Sequence, residues 1–208
     1  MNERNQHPAE PTPPAWAEHI LRRLLKPEDR ESVSGDLLEE YRVSVVPSRG
    51  RVRADVWYLR QMMGFVWRAA SVWGLLLAVS VIGRDTLDWW LSPTDDFYAR
   101  SIVSTSVAVA LFACAGALTA WRSRSIRSGI LAGIATGLIA GVIVNVGSVV
   151  MLAVKHDPHT MAMIRASGGL GEVFSLPIFI TLPGTVCATV GAVAAKTLSY
   201  VVGSRVAQ

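Results

Sequence analysis

Four long apolar segments constrain the fold of this sequence more than any other feature. Each has more than 20 residues, and a helix that rises about 1.5 Å per residue needs about 20 residues to cross a hydrocarbon core of about 30 Å. Arg68 interrupts the first segment, so that its side chain either snorkels to the headgroups or the span starts later. We therefore predict an all-α protein with a four-helix transmembrane bundle, whose spans cover residues 62–83, 99–121, 128–154 and 173–195.

The charged residues are concentrated ahead of these segments. Residues 1–68 hold 11 of the 20 Lys and Arg and 10 of the 16 Asp and Glu. Apolar residues recur there at helical spacing, which predicts a small, charged, helical N-terminal domain. We predict a disordered, proline-rich leader over residues 1–13, a helical domain over 14–61 and a transmembrane domain over 62–202, with no cleaved signal peptide.

The charges of the predicted links orient the bundle. The link 122–127 contains Arg122, Arg124 and Arg127 and no acid, whereas residues 84–100 contain four aspartates. By the positive-inside rule, the arginine-rich link and the N-terminal domain both face the cytoplasm. Four spans satisfy both assignments, so we predict a multi-pass protein with cytoplasmic N- and C-termini.

The third span carries glycines at intervals of four, which we call the glycine ridge, followed by an asparagine at the next step. Small residues on one helix face allow another helix to approach closely, and an amide can form a hydrogen bond across that contact. The sequence leaves open whether this contact is packing within one bundle, a homo-oligomer interface or a pore lining. The ridge and its asparagine are Gly129, Gly133, Gly137, Gly141 and Asn145, and the candidate partners within the chain are Ala113 and Ala117, or Gly184, Ala188 and Ala192.

A basic, amphipathic helix is predicted from about residue 51, ahead of the first span. Its arginines are suited to anionic lipid headgroups, although the same pattern also fits the solvated face of a helical bundle. The candidate lipid-contact residues are Arg49, Arg51, Arg53 and Arg60.

The sequence offers no motif for catalysis, and we expect no enzyme activity, cofactor, metal or nucleic-acid partner. His156 and His159 have a metal-like spacing, but no third ligand is evident and Pro158 disfavours a regular helix there. Spans two to four contain no ionisable residue in their central stretches. Because proton relays in membranes depend on such residues, proton-coupled transport is disfavoured.

Two motifs in the N-terminal part resemble the permease prefix domain, a helical module that precedes the membrane part of bacterial permeases of the macrolide-exporter type. The resemblance covers residues 14–66 and is carried by the run at residues 24–31 and by the two motifs Gly-Asp-Leu-x-Glu-Glu-Tyr and Trp-Tyr-x-Arg-Gln. The residues that match are Gly35, Asp36, Leu37, Glu39, Glu40 and Tyr41, then Trp57, Tyr58, Arg60 and Gln61.

The resemblance implies a multi-pass protein of the bacterial inner membrane with a cytoplasmic or membrane protein as its partner. We expect a non-enzymatic accessory or regulatory component of a transport system that acts through its cytoplasmic prefix-like domain. The alternative is a small oligomeric channel or transporter assembled through the glycine ridge. The sequence does not distinguish between them.

Overall fold

The computed structural model describes residues 10–90, 97–154, 158–166 and 169–206. These residues form helices and no strands, as the sequence predicts. The chain divides into two compact units, residues 1–65 and 66–208. The helices are α1 (Ala15–Leu24), α2 (Arg30–Glu40), α3 (Val46–Arg49), α4 (Arg51–Trp90), α5 (Phe97–Ser123), α6 (Ile126–Val154), α7 (Pro158–Ala166), α8 (Leu170–Phe179) and α9 (Thr181–Val206), with a π-helical turn at Tyr41–Val45 between α2 and α3.

The first unit has its own small core. Tyr41 and Val45 of the π turn pack there with Ala17 and Leu21 of α1 and with Tyr58 of α4. The π turn directly precedes Pro47, which has no N–H to donate to Val43 and whose ring would clash with that carbonyl group in an α-helix. A wider turn relieves this clash. The helical path then ends at Gly50, which has a positive φ of 74°.

Gly35 lies inside α2, where glycine costs helix stability and would be expected only at a close contact with another helix. In the structure nothing lies within 4 Å of a Cβ atom built on Gly35. The glycine leaves open space on the surface of the unit.

Four helical stretches are long and apolar enough to cross a membrane, as predicted: Arg51–Asp88, Tyr98–Ser123, Ile126–Val154 and Leu170–Val201. In the second unit, large apolar side chains point outward from all of these stretches. Such a surface would be unfavourable in water and is suited to lipid. Examples more than 60% exposed are Val72, Val79, Val103, Val142, Val186 and Val190.

The first and fourth spans differ in detail from the predicted segments. The basic helix and the first span are one continuous helix of 40 residues, α4, because no proline interrupts them. The fourth span is divided at Ile180, between α8 and α9. Pro183 explains the division, since its ring clashes one turn back, at the carbonyl group of Phe179.

The connection between α5 and α6 is short, and the connection between α6 and α8 contains a helix. α5 ends at Ser123 and α6 begins at Ile126, and Arg124 between them has a positive φ of 53°. Residues 158–166 form α7 with Pro158 as its first residue, while His156 and Asp157 lie outside the described residues, so a regular helix from His156 to His159 stays untested. Proline is tolerated as the first residue of a helix, where its missing N–H has no partner to lose.

Candidate functional site

The aromatic residues of the two motifs build the core of the first unit. Tyr41 and Tyr58 are fully buried, and their rings meet edge to face at 6.0 Å between centroids. The hydroxyl of Tyr41 donates a hydrogen bond of 2.6 Å to Oδ1 of Asp55. Leu37 and Trp57 are half-buried against the same core. These four motif residues therefore have a structural role in holding α2 and α4 together.

Residues just before α1 are tied to the π turn. The Arg42 guanidinium forms an ion pair with Glu10 at 2.7 Å and donates a hydrogen bond to the carbonyl oxygen of Pro11 at 3.2 Å. The carbonyl oxygen of Thr12 lies 3.4 Å from the Tyr41 hydroxyl. Part of the predicted leader, from Glu10 onward, thus packs on the domain, whereas residues 1–9 lie outside the described residues.

The polar residues of the motifs are on the surface. Each of them is exposed, and none of their side chains forms a hydrogen bond or ion pair with another described residue. Gly35 and Glu39 line a shallow depression of about 390 Å³ that Glu10, Pro11, Leu38, Arg42 and Val43 complete. The exposed motif residues are Gly35, Asp36, Glu39, Glu40, Arg60 and Gln61.

The four candidate lipid-contact arginines are also exposed, and none forms an ion pair with a described acid. All are at the end of α3 or in the first three turns of α4: Arg49, Arg51, Arg53 and Arg60. Their contact with anionic lipid stays a prediction.

The glycine ridge of α6 is buried against α8 and α9 of the same chain. A Cβ atom built on Gly129 would lie 2.5 Å from the Cβ of Ala192, and one on Gly133 would lie 2.5 Å from the Cβ of Ala188. A Cβ on Gly137 would lie 2.5 Å from Oγ1 of Thr181, and one on Gly141 would lie 3.0 Å from the carbonyl oxygen of Pro177. Small residues at every fourth position therefore let the two helical stretches pack almost backbone to backbone.

Three polar atoms buried near this interface have no hydrogen-bond partner among the described residues. They are Oγ1 of Thr136, Oδ1 of Asn145 and Oγ1 of Thr181. A hydrogen bond of the Asn145 amide across the helix contact was expected, and its Oδ1 atom accepts none. An unpaired polar atom in an apolar interior is unfavourable, so these atoms locally destabilise the bundle.

An ion cluster between the end of α4 and the start of α5 was not predicted from the sequence. Asp88, which is 9% exposed, pairs through Oδ2 with Arg84 at 3.1 Å and through Oδ1 with Arg100 at 2.9 Å. The first pair joins residues one turn apart in α4. The second joins α4 to α5, and it depends on the extension of α4 beyond its predicted span, whereas Arg100 lies at the start of the predicted second span.

No group of three His, Cys, Asp or Glu within the described part of the chain is placed to hold a metal ion. His156 and Asp157 lie outside the described residues, and the structure does not describe the side chain of His159. Both cysteines are free thiols in the second unit, Cys114 exposed and Cys187 half-buried.

Comparison with known proteins gives no relatives: no family model, no curated protein and no solved structure matches this chain.

Proposed function

We propose that this chain is a non-enzymatic protein of the bacterial inner membrane that serves as an accessory or regulatory component of a transport system. Its first unit is the part that meets the partner. The observation that supports this proposal is the division of the two motifs into a buried and an exposed half. The aromatic half builds the core, and the polar half is left for an interaction outside the chain.

The side chains of the exposed half form no hydrogen bond or ion pair with described residues that would stabilise the unit. Asp36, Glu39 and Glu40 are solvent-facing acids of α2, while Arg60 and Gln61 are solvent-facing on α4. Exposed charges that pair with nothing add little to folding free energy. Charges of both signs instead favour recognition of a polar protein surface, because complementary charges steer and orient partners.

Site-specific photo-crosslinking in cells tests the proposal. A photoreactive amino acid at Glu39 is expected to give one discrete adduct with a component of a transport system, identified by mass spectrometry. The same group at Ser48, an exposed residue of this unit outside the resembling runs, is the matched control. Equal adduct patterns at the two positions, or adducts only with abundant unrelated proteins, would contradict the proposal.

We also propose that both termini lie in the cytoplasm, and this orientation has its own test. Single cysteines at Ser48, Ser125 and Gln208, in a chain with Cys114 and Cys187 replaced, should resist a membrane-impermeant thiol reagent added outside. A cysteine at Ser92 or His159 should react. External labelling at Ser125 would mean that the orientation is the reverse of the one proposed or that the first apolar segment does not cross the membrane.

The alternative of a channel or transporter assembled through the glycine ridge has less support. Gly129, Gly133, Gly137 and Gly141 are buried by α8 and α9 of the same chain. A second copy could use the ridge only by displacing them. We therefore propose that the ridge closes the bundle of one protomer.

A further inference from the structure

The helices α5 and α9 cross so closely that their backbones meet. A Cβ atom built on Gly116 would collide with the backbone of Ala188, and one built on Gly191 would collide with the backbone of Ala113. The helices run parallel, since Phe112 contacts Gly184 and, further along both helices, Trp121 and Leu198 line one groove. The crossing forms the end of that groove that lies opposite to Trp121 and Leu198.

The groove has a volume of about 360 Å³ and opens on the outer surface of the bundle. Pockets of about 300 Å³ or more hold small molecules or single chains. Its walls are almost entirely apolar and mostly made of small side chains, so that a long, thin apolar group fits and no polar group of a ligand would be satisfied. The lining residues are Ala113, Cys114, Ala117, Leu118 and Trp121 of α5, and Gly191, Ala194, Ala195 and Leu198 of α9.

The end of the groove at Trp121 and Leu198 is strongly basic. Arg122 directly follows Trp121 and Arg124 lies two residues further, and both are exposed. Lys196 lies between the lining residues Ala195 and Leu198 in the sequence of α9. No Asp or Glu occurs anywhere in residues 97–154 or 181–206. Trp121, which is 50% exposed, is the kind of side chain that sits at the level of lipid headgroups. An apolar groove that ends in cations is complementary to an anionic lipid, which has an apolar chain and a negatively charged headgroup.

We propose that this groove binds one acyl chain of an anionic phospholipid, whose phosphate lies among Arg122, Arg124 and Lys196. The groove selects a chain by its shape, and the cations select the charge of the headgroup. Each basic residue near a membrane surface contributes about 1 kcal/mol to the binding of anionic lipid. Three of them are enough to distinguish an anionic lipid from a zwitterionic one with identical chains.

The same cations argue against a second copy of the chain as the occupant. Within a bilayer, a two-fold dimer has its axis along the membrane normal, so equivalent ends of both copies lie side by side. A dimer through this groove would bring together two sets of cations that contain Arg122, Arg124 and Lys196. Like charges at such an interface oppose association.

Lipid titration of the purified full-length protein in detergent tests the proposal. Phosphatidylglycerol is expected to raise the midpoint of thermal unfolding in a saturable way. Phosphatidylcholine with the same chains and inorganic phosphate alone are both expected to leave the midpoint unchanged. Equal effects of the two lipids would overturn the role of the cations, and an equal effect of free phosphate would overturn the role of the groove.

Two variants separate the groove from the headgroup site. Ala194→Leu fills the groove at an exposed position and is expected to weaken phosphatidylglycerol binding about tenfold. Ala153→Leu, the same change at an exposed position of α6 outside the groove, should leave binding unaltered. Arg122→Gln should weaken phosphatidylglycerol binding about fivefold, in line with the loss of one cation, and leave any phosphatidylcholine binding unchanged.

The oligomeric state provides the remaining control. If the lipid-free protein is a dimer that Ala194→Leu converts to a monomer, a second copy occupies the groove and the lipid proposal fails. If Ala194→Leu and Ala153→Leu bind phosphatidylglycerol alike, the groove holds no chain and the proposal also fails.

Discussion

The phenolic oxygen of Tyr41 lies 2.6 Å from Oδ1 of Asp55 and donates a hydrogen bond to it. Because Tyr41 is fully buried, Tyr41→Phe should destabilise the first unit by about 2 kcal/mol, a typical contribution for a hydrogen bond to a charged group. Hydrogen exchange of the full-length protein should show faster exchange in α2 and the π turn. Tyr200→Phe is the control, since Tyr200 is 69% exposed. Unchanged protection in the Tyr41 variant would show that the bond adds nothing.

The same tyrosine should make the first unit sensitive to alkaline pH. Burial, then the hydrogen bond to Asp55 and the charge of Asp55, raise the pKa of Tyr41 from 10.0 to about 12, against a smaller lowering by Arg51. A pKa raised by folding means that the stabilisation is complete below pH 10 and is lost as the pH rises towards about 12. Phenolate absorbance should lose one ionisation step near pH 12 in Tyr41→Phe. Loss of a step near pH 10 instead would contradict the burial argument.

Close approach of α5 and α9 should make Gly116 intolerant of any side chain. Gly116→Ala would push a methyl group into the backbone of Ala188, and overpacking of this kind costs about 2 kcal/mol. Gly83→Ala, the same change in α4 where nothing lies within 4 Å, should be neutral or stabilise the helix by up to about 1 kcal/mol. Thermal unfolding in detergent measures both variants. Equal midpoints would mean that the helices separate at little cost.

The carboxylate of Asp88 should be essential to the junction of α4 and α5. Asp88→Asn removes the carboxylate charge that both Arg84 and Arg100 contact. Breaking a largely buried pair in this way costs about 3 kcal/mol. Asp85→Asn makes the identical chemical change one turn earlier in α4, at a carboxylate that lies near Arg84 and Asp88 but takes no part in these two ion pairs. A smaller loss for Asp88 than for Asp85 in the same unfolding assay would refute the role of the cluster.

Removal of an unpaired hydroxyl should stabilise the bundle. Thr136 is fully buried and its Oγ1 has no partner, so Thr136→Val should raise stability by about 1 kcal/mol. Thr185→Val should not, because the Thr185 hydroxyl donates a hydrogen bond to the carbonyl oxygen of Thr181 at 2.7 Å. A lower midpoint for Thr136→Val would reveal a partner for this hydroxyl in the membrane.

The membrane-length helices could be predicted because apolar content over about 20 residues is a local property of the chain. The division of the fourth span at Ile180 is likewise a local effect, because the clash caused by Pro183 reaches only one turn back along the helix. The bond between Tyr41 and Asp55 could not be predicted, since it depends on how α2 packs on α4. The open space at Gly35 depends in the same way on what surrounds the helix, and sequence cannot provide that.

The Asp88 cluster shows the same limit. Arg84 and Asp88 are one turn apart, a spacing that predicts a pair on any helix. Arg100 joins them only because α4 extends beyond its predicted segment to Trp90 and packs there against the start of α5. The crowding around the glycine ridge follows from its four-residue period, whereas the choice of α8 and α9 as its partners is a property of the folded bundle.

Arg124 occupies the left-handed backbone region just after α5, with a φ of 53°, where glycine is usual and any other residue costs about 1 to 2 kcal/mol. The chain therefore carries a cation at a position where backbone preference alone would favour glycine. Cations resist passage through a bilayer, and only two residues separate α5 from α6. A link this short keeps the end of α5 next to the start of α6, so the two helices form a hairpin whose turn carries a cation that would resist transfer into lipid.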